Sequence, residues 1–193
     1  MLIEGLAKIC GGQWALKERS LTSRNKVIRR LSTFLYSKSM QAKGAMIGID
    51  AHFGTPPFFP HGPYGVFISH GARIGRNCII FQHVMIASNT LIDSPRLGAP
   101  TIGDNCYIGV GAKIIGNVTI GRNVRIGANA VVTNDVPDFS IVSAGEQKVV
   151  SWDDRMDNRF YHKYNGCWRY LENGIWHQVE DPDDLELFNS RFS

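Results

Sequence analysis

The chain has 193 residues, 44% of them hydrophobic, with 21 basic and 17 acidic side chains and a net charge of +4. That suffices for one domain with a buried core plus a modest appendage, and the scattered basic residues, with Arg29-Arg30 the only doublet, argue against a nucleic-acid footprint. No apolar run approaches the roughly 18 residues of a membrane span, the N-terminus has Glu4 and no signal-peptide pattern, and Cys10, Cys78, Cys106 and Cys167 form no C-x-x-C pair for zinc or redox chemistry, so a cytoplasmic protein is expected.

Residues 1–44 are polar and basic. Val27, Leu31, Phe34 and Leu35 follow the spacing of one short amphipathic helix, expected to pack on whatever follows. Its basic character leaves a peripheral membrane contact open. Next, "GTPPFFPHGPYG" is a shaped loop, because proline and glycine punctuate rather than extend.

A period of six then dominates residues 45–150. Aliphatic residues recur at Ile68, Ile74, Ile80 and Ile86, and again at Ile102, Ile108, Ile114, Ile120, Ile126 and Val132. Four positions after each comes a small or modest residue, including Ala72, Cys78, Val84, Cys106, Ala112, Val118, Val124, Ala130 and Val136. A helix would repeat near 3.6 and a simple strand near 2. Six suits short strands joined by tight bends, three hexads to a triangular coil, with the aliphatic and the small residue pointing inward. One such coil cannot bury its face alone, so coils must stack. Between Ile86 and Ile102 sixteen residues stand where twelve would keep phase, so "NTLIDSPRLGAP" bulges out as a loop.

Residues 151–193 form an aromatic C-terminal extension. Asn173-Gly174 between aromatic-rich runs predicts a β-hairpin with a type I′ turn. Trp168, Tyr170 and Trp176 are expected on its apolar face, and the extension is expected to act as a lid on the open end of the prism.

The segment "TIGDNCYIGVGAKIIGNVTIGRNVRIGANAVVTNDVP" resembles the hexapeptide-repeat acyltransferases, among them the serine acetyltransferases and the polysaccharide or sugar O-acetyltransferases. The resemblance implies an all-β fold, a left-handed parallel β-helix, with a short N-terminal helical segment and a C-terminal hairpin extension. It implies acetyl-CoA as co-substrate and direct transfer of the acetyl group to a hydroxyl, with no metal. It also implies a homotrimer with active sites between subunits.

Such a transfer needs a base near neutral pH, usually histidine. The candidates are His52, His61, His70, His83, His162 and His177. His70 and His83 fall at outward hexad positions and read as solvated or interface residues. The stretch "FPHGPYGVFISHGARIG" resembles the catalytic region of the family and assigns the base to His61. The "GIDAHF" element supplies Asp50 as the carboxylate that orients the imidazole, as in a serine-protease triad. The turns "GVGAK" and "GANAVVTND" resemble the family's coenzyme-binding turns and nominate Gly111, Ala112, Lys113, Ala128, Asn129 and Thr133, with Lys148 as the phosphate contact.

Serine acetyltransferases carry an Arg-His pair just before the repeat restarts, where this chain has Gly98 and Ala99. An amino-acid carboxylate wants a fork of positive charge. The sequence reading therefore favours a sugar or surface-polysaccharide hydroxyl as acceptor. Serine is the alternative, and a catalytically silent trimeric binding protein is the alternative of another class.

Overall fold

The computed structural model describes residues 2–91, 94–145, 149–151 and 159–191. Three helices come first: α1 (Leu2–Ile9), α2 (Gly12–Thr22) and α3 (Lys26–Gln41). The third is started by Asn25, whose side-chain oxygen accepts from the amides of Val27 (2.9 Å) and Ile28 (3.3 Å).

Coil 1 holds β1 (Met46–Ile47) and β2 (His52–Phe53), and Phe58 completes it through a parallel bridge to Ile79. Coil 2 holds β3 (Phe67–Ile68), β4 (Arg73–Ile74) and β5 (Ile79–Ile80). Coil 3 holds β6 (Met85–Ala87), β7 (Thr101–Ile102) and β8 (Tyr107–Ile108), and coil 4 holds β9 (Lys113–Ile115), β10 (Thr119–Ile120) and β11 (Arg125–Ile126). Coil 5 holds β12 (Val131–Val132) and β13 (Ser140–Val142).

Stacked, these strands form the three faces of a left-handed parallel β-helix. Face I runs β1-β3-β6-β9-β12, face II runs β2-β4-β7-β10, and face III runs β5-β8-β11-β13. The registers align the aliphatic positions: Ile68 on Ile86 on Ile114 on Val132, Ile74 on Ile102 on Ile120, and Ile80 on Ile108 on Ile126 on Val142. All are buried, and Ala72, Cys78, Val84, Cys106, Ala112, Val118, Val124 and Ala130 fill the gaps between the columns. Val136 differs from its expected place as a small spacer. It pairs with Ile120 and continues the aliphatic column of face II, because coil 5 is shortened there.

The bends need left-handed backbone. Asn77, His83, Asn105, Asn123 and Asn129 have φ between 54° and 59°, each just before an inward small residue. Asparagine tolerates that region better than most side chains. One edge of the prism carries a charge column. The carboxylate of Asp104 accepts from the amide (2.7 Å) and guanidinium (3.1 Å) of Arg76 one coil below, and Asp138 does the same for Arg122.

Two expectations about the flanks are corrected. Residues 1–44 hold three helices, not one, and α3 does not bury its Val27–Leu31–Phe34 stripe. Its buried side is Ser32, Leu35, Tyr36, Ser39 and Met40, of which Leu35, Tyr36 and Met40 join the core cluster with Ala45, Ile47 and Ala51 over the end of coil 1. The Tyr36 hydroxyl donates to the carbonyl of Ile47 (3.1 Å). A helix of this composition can present either side, and the polar anchor of Tyr36 decides which one faces inward.

At the other terminus β14 (Val149–Ser151) pairs antiparallel with β13. β15 (Phe160–Tyr164), β16 (Cys167–Glu172) and β17 (Ile175–Gln178) make a three-stranded antiparallel sheet, followed by α4 (Pro182–Arg191). Asn173 (φ 50°) and Gly174 (φ 78°) form the expected turn. The expected single apolar face is not found. Trp168 stacks on Phe188 of α4 (4.8 Å between ring centres), whereas Trp176 pairs with Leu171 and packs edge-on against Phe58 (5.8 Å). Asn77 also donates to Asn173 (2.9 Å). The sheet therefore leans on the flank of coils 1 and 2 instead of closing the far end of the prism.

Candidate active site

The phase of the repeat assigns every outward residue to an edge. Asp50 follows β1 and precedes β2, so it lies on the edge between faces I and II in coil 1. His70 follows β3 and precedes β4, which places it on the same edge one coil up. The β1–β3 register, Ile47 opposite Ile68, brings the two together. Asp50 Oδ1 lies 2.5 Å from His70 Nδ1, with both side chains about half exposed. With an ionised carboxylate as partner, Nδ1 carries the hydrogen and Nε2 is left as an acceptor.

His61 does not join this pair. It lies between Phe58 on face III and β3 on face I, on a different edge, where it is exposed beside the ring of Phe81 (6.2 Å between centres). The expected Asp50–His61 pairing is therefore replaced by Asp50–His70. The period of six does not carry back from Ile68 to Ile47, because the Pro-rich loop between them puts coil 1 out of phase, so only the β1–β3 pairing brings Asp50 to His70.

Two further groups shape this edge. Lys17 of α2 is almost fully buried and donates to the carbonyls of Ile49 (2.5 Å) and Ala51 (2.8 Å), on either side of Asp50. Burial pushes its ammonium below the ordinary lysine range, and the nearby Asp50 charge partly offsets that. One coil above His70, Ser88 bonds Ser69 (2.8 Å between hydroxyl oxygens) and donates to the His70 carbonyl (3.3 Å). The extra loop leaves the prism just there. It is closed by a reciprocal backbone pair between Asn89 and Gly98, both bonds 2.9 Å, and braced by Asn89 donating to Ser94 (2.7 Å). Arg96 on this loop bonds the Asn117 carbonyl (3.3 Å) and the Asp135 carboxylate (3.0 Å). The edge thus offers an exposed imidazole oriented by a carboxylate, with a braced loop one coil above it.

The expected coenzyme residues divide between edges. Gly111, Ala112, Lys113, Ala128 and Asn129 all lie on the edge between faces III and I, in neighbouring coils, where the Asn129 amide donates to the Val110 carbonyl (2.9 Å). Gly111 has the left-handed φ of 70°, and a Cβ there would meet the side-chain oxygen of Asn129 at 2.2 Å, so that side chain would have to move. Ala112 is fully buried and offers a ligand only its backbone, and Lys113 folds its ammonium onto the Gly111 carbonyl (3.1 Å). Thr133 is apart from them, on the edge between faces I and II. Lys148 lies outside the described residues. No cluster of three or more metal-ligating side chains occurs among the described residues.

Comparison with known proteins fits this geometry. Residues 99–134 match the family model "Bacterial transferase hexapeptide (six repeats)". The serine acetyltransferase of Staphylococcus xylosus is 37% identical over 138 residues, 72% of this chain and 60% of that protein. That of Bacillus subtilis strain 168 is 36% identical over 126 residues, 63% of this chain and 57% of that protein. The chain is a hexapeptide-repeat protein that resembles the serine acetyltransferases. Solved structures agree: the Neisseria gonorrhoeae serine acetyltransferase superposes with a TM-score of 0.60 at 29% identity, covering 72% of this chain and 51% of that one. The soybean serine acetyltransferase complexed with serine gives 0.60 at 30% identity, covering 72% and 54%. This hexapeptide-repeat chain spans about 60% of the length of the curated relatives. The expectation of a sugar or polysaccharide acceptor is overturned, since these relatives are serine acetyltransferases in sequence and in structure. The missing charge pair at Gly98 and Ala99 does not by itself fix an acceptor class.

Proposed function

We propose that the chain is an acetyl-CoA-dependent serine O-acetyltransferase in which His70 is the base and Asp50 its positioning carboxylate. The observation that carries this reading is the Asp50–His70 pair on the edge beside the braced loop, in a chain whose relatives are named serine acetyltransferases. His70 Nε2 takes the proton of the serine hydroxyl as its oxygen attacks the thioester carbonyl carbon. The tetrahedral intermediate then collapses, the C–S bond breaks, and the thiolate leaves with the proton held on the imidazolium. Asp50 keeps the ring in the tautomer that leaves Nε2 free. Arg96 is the cation on the loop over this edge, and a serine carboxylate would compete with Asp135 for its guanidinium.

The reading includes a trimer with shared sites. His70 and the coenzyme turns occupy different edges of one prism, with face I between them. A hexad of extended chain spans roughly 20 Å at about 3.3 Å per residue, so one copy does not bring the two edges together, while packing the edge of one prism against that of the next would. A thiol-release assay with acetyl-CoA and L-serine tests the proposal, with light scattering on the same sample. Serine-dependent release by a trimer is expected. Serine-independent background alone, or an active monomer, would overturn it.

A further inference from the structure

The helical segment ahead of the prism presents a surface that the proposed chemistry does not use. From Arg24 to Leu31 eight consecutive residues are exposed, although six of them lie in α3. Val27 is 73% exposed, Leu31 56% and Phe34 56%, while the opposite side of the same helix is buried against coil 1. Positions 27, 31 and 34 follow one another along one stripe of a helix. An apolar stripe of this kind is normally the buried one. Here it is turned to solvent, and Lys38 continues it at the next turn.

Charge identifies what would cover it. Between Arg19 and Ile49 there are seven basic residues (Arg19, Arg24, Lys26, Arg29, Arg30, Lys38 and Lys43) and no acidic one. Residues 1–49 carry nine basic and two acidic side chains, a net +7, so the remaining 144 residues sum to −3 against the whole-chain +4. A second copy of this surface would bring seven like charges against seven, which opposes self-association there. A surface that is both negatively charged and apolar just beneath satisfies both features.

We propose that the exposed face of α3, with Val27, Leu31 and Phe34 inserted and Arg30 and Lys38 beside them, docks the protein onto an anionic phospholipid surface. Basic amphipathic helices lie in the membrane interface in this way, with the apolar stripe among the acyl chains and the cations at the headgroups. Each cation near such a surface changes the partition about fivefold. The prism and the Asp50–His70 edge stay in water, so the proposal stands independently of the acceptor assigned above.

The test is co-sedimentation of the full chain with vesicles of phosphatidylcholine alone and of phosphatidylcholine with 30% phosphatidylserine, in about 0.1 M and 0.5 M salt. Three variants accompany it: Leu31→Ser with Phe34→Ser, Arg30→Gln with Lys38→Gln, and Ser37→Ala as a control. Binding to the serine-lipid vesicles alone, released by the higher salt and lowered at least tenfold by each double variant but not by the control, is expected. The thermal midpoint of each variant is measured alongside, and because all the altered side chains are exposed it should stay near that of the parent. Wild-type protein that stays in the supernatant overturns the proposal, as does equal binding to both vesicles. So does an oligomer that light scattering shows to dissociate in Leu31→Ser/Phe34→Ser, with no vesicle binding by the parent, because the face would then join copies of the chain. Retention on duplex DNA with none on vesicles would overturn it in favour of a nucleic acid.

Discussion

Replacing His70 by asparagine removes the imidazole while leaving a polar side chain of similar reach on the edge, and the matching change at His61 is its control. A general base contributes on the order of 10² to 10⁴ to turnover. His70→Asn should therefore lower kcat by at least about a hundredfold, and His61→Asn, on the other edge beside Phe81, by less than about twofold. In the proposed mechanism Asp50 acts through His70, so its effect is smaller and derivable. A hydrogen bond to a charged group is worth about 1.5–3 kcal/mol. With the two side chains 65% and 53% exposed, the lower end applies because water screens the pair. At about 1.4 kcal/mol per decade, Asp50→Asn should cost roughly tenfold in kcat. The Asp50→Asn/His70→Asn double variant should be no slower than His70→Asn alone, since a carboxylate that works by orienting an imidazole has nothing left to orient. Initial rates of thiol release at saturating acetyl-CoA and L-serine, with circular dichroism to check folding, supply every number. Near-native turnover by His70→Asn, a collapse in His61→Asn, or additive losses in the double variant would each refute the reasoning.

Two other perturbations read the scaffold. Lys17→Met leaves the Ile49 and Ala51 carbonyls without their donor; part of the loss is offset because a buried ammonium no longer has to be desolvated, so a drop of about 2 kcal/mol in urea unfolding is expected, and an unchanged midpoint would show that the ammonium does not hold the turn. The Arg76 amide and guanidinium hold the Asp104 carboxyl below its ordinary value of 3.8. Its stabilisation is therefore present above that value and is lost as pH falls through the lower, folded one. Asp104→Asn should lower the thermal midpoint at neutral pH and flatten its fall on the acid side of about pH 4, and a melting curve with the same acid dependence as the parent would refute the assignment.

The hexad made the prism legible without any structure. A period of six with an inward aliphatic and an inward small residue four places later admits only short strands joined by tight bends, and the buried columns of isoleucine are that pattern stacked. The Asn173-Gly174 turn was equally local, since two consecutive positive φ values are what that dipeptide tolerates. Pairings made by stacking were harder to read. Asp50 and His70 are twenty residues apart and meet because coil 1 and coil 2 share a register, whereas His61, nearer in sequence, is carried to another edge. The sugar acceptor was expected from two residues of one loop, whereas the proteins that this chain resembles across the repeat array are serine acetyltransferases.

The sequence by itself determined the elements whose cause is local: the repeat, its inward columns, the break after Ile86 and the C-terminal turn. Tertiary structure alone decided which side of α3 is buried, where the aromatic sheet leans and which histidine receives the carboxylate. Val27, Leu31 and Phe34 form as good an apolar stripe as any core helix has, but Tyr36 and Met40 are the residues that fit the end of coil 1. Trp168 and Trp176 part company because residues on paired strands share a face only when their registers match. Periodicity specifies that a face exists; what it packs against depends on the shape and polar partners that the rest of the chain brings to it.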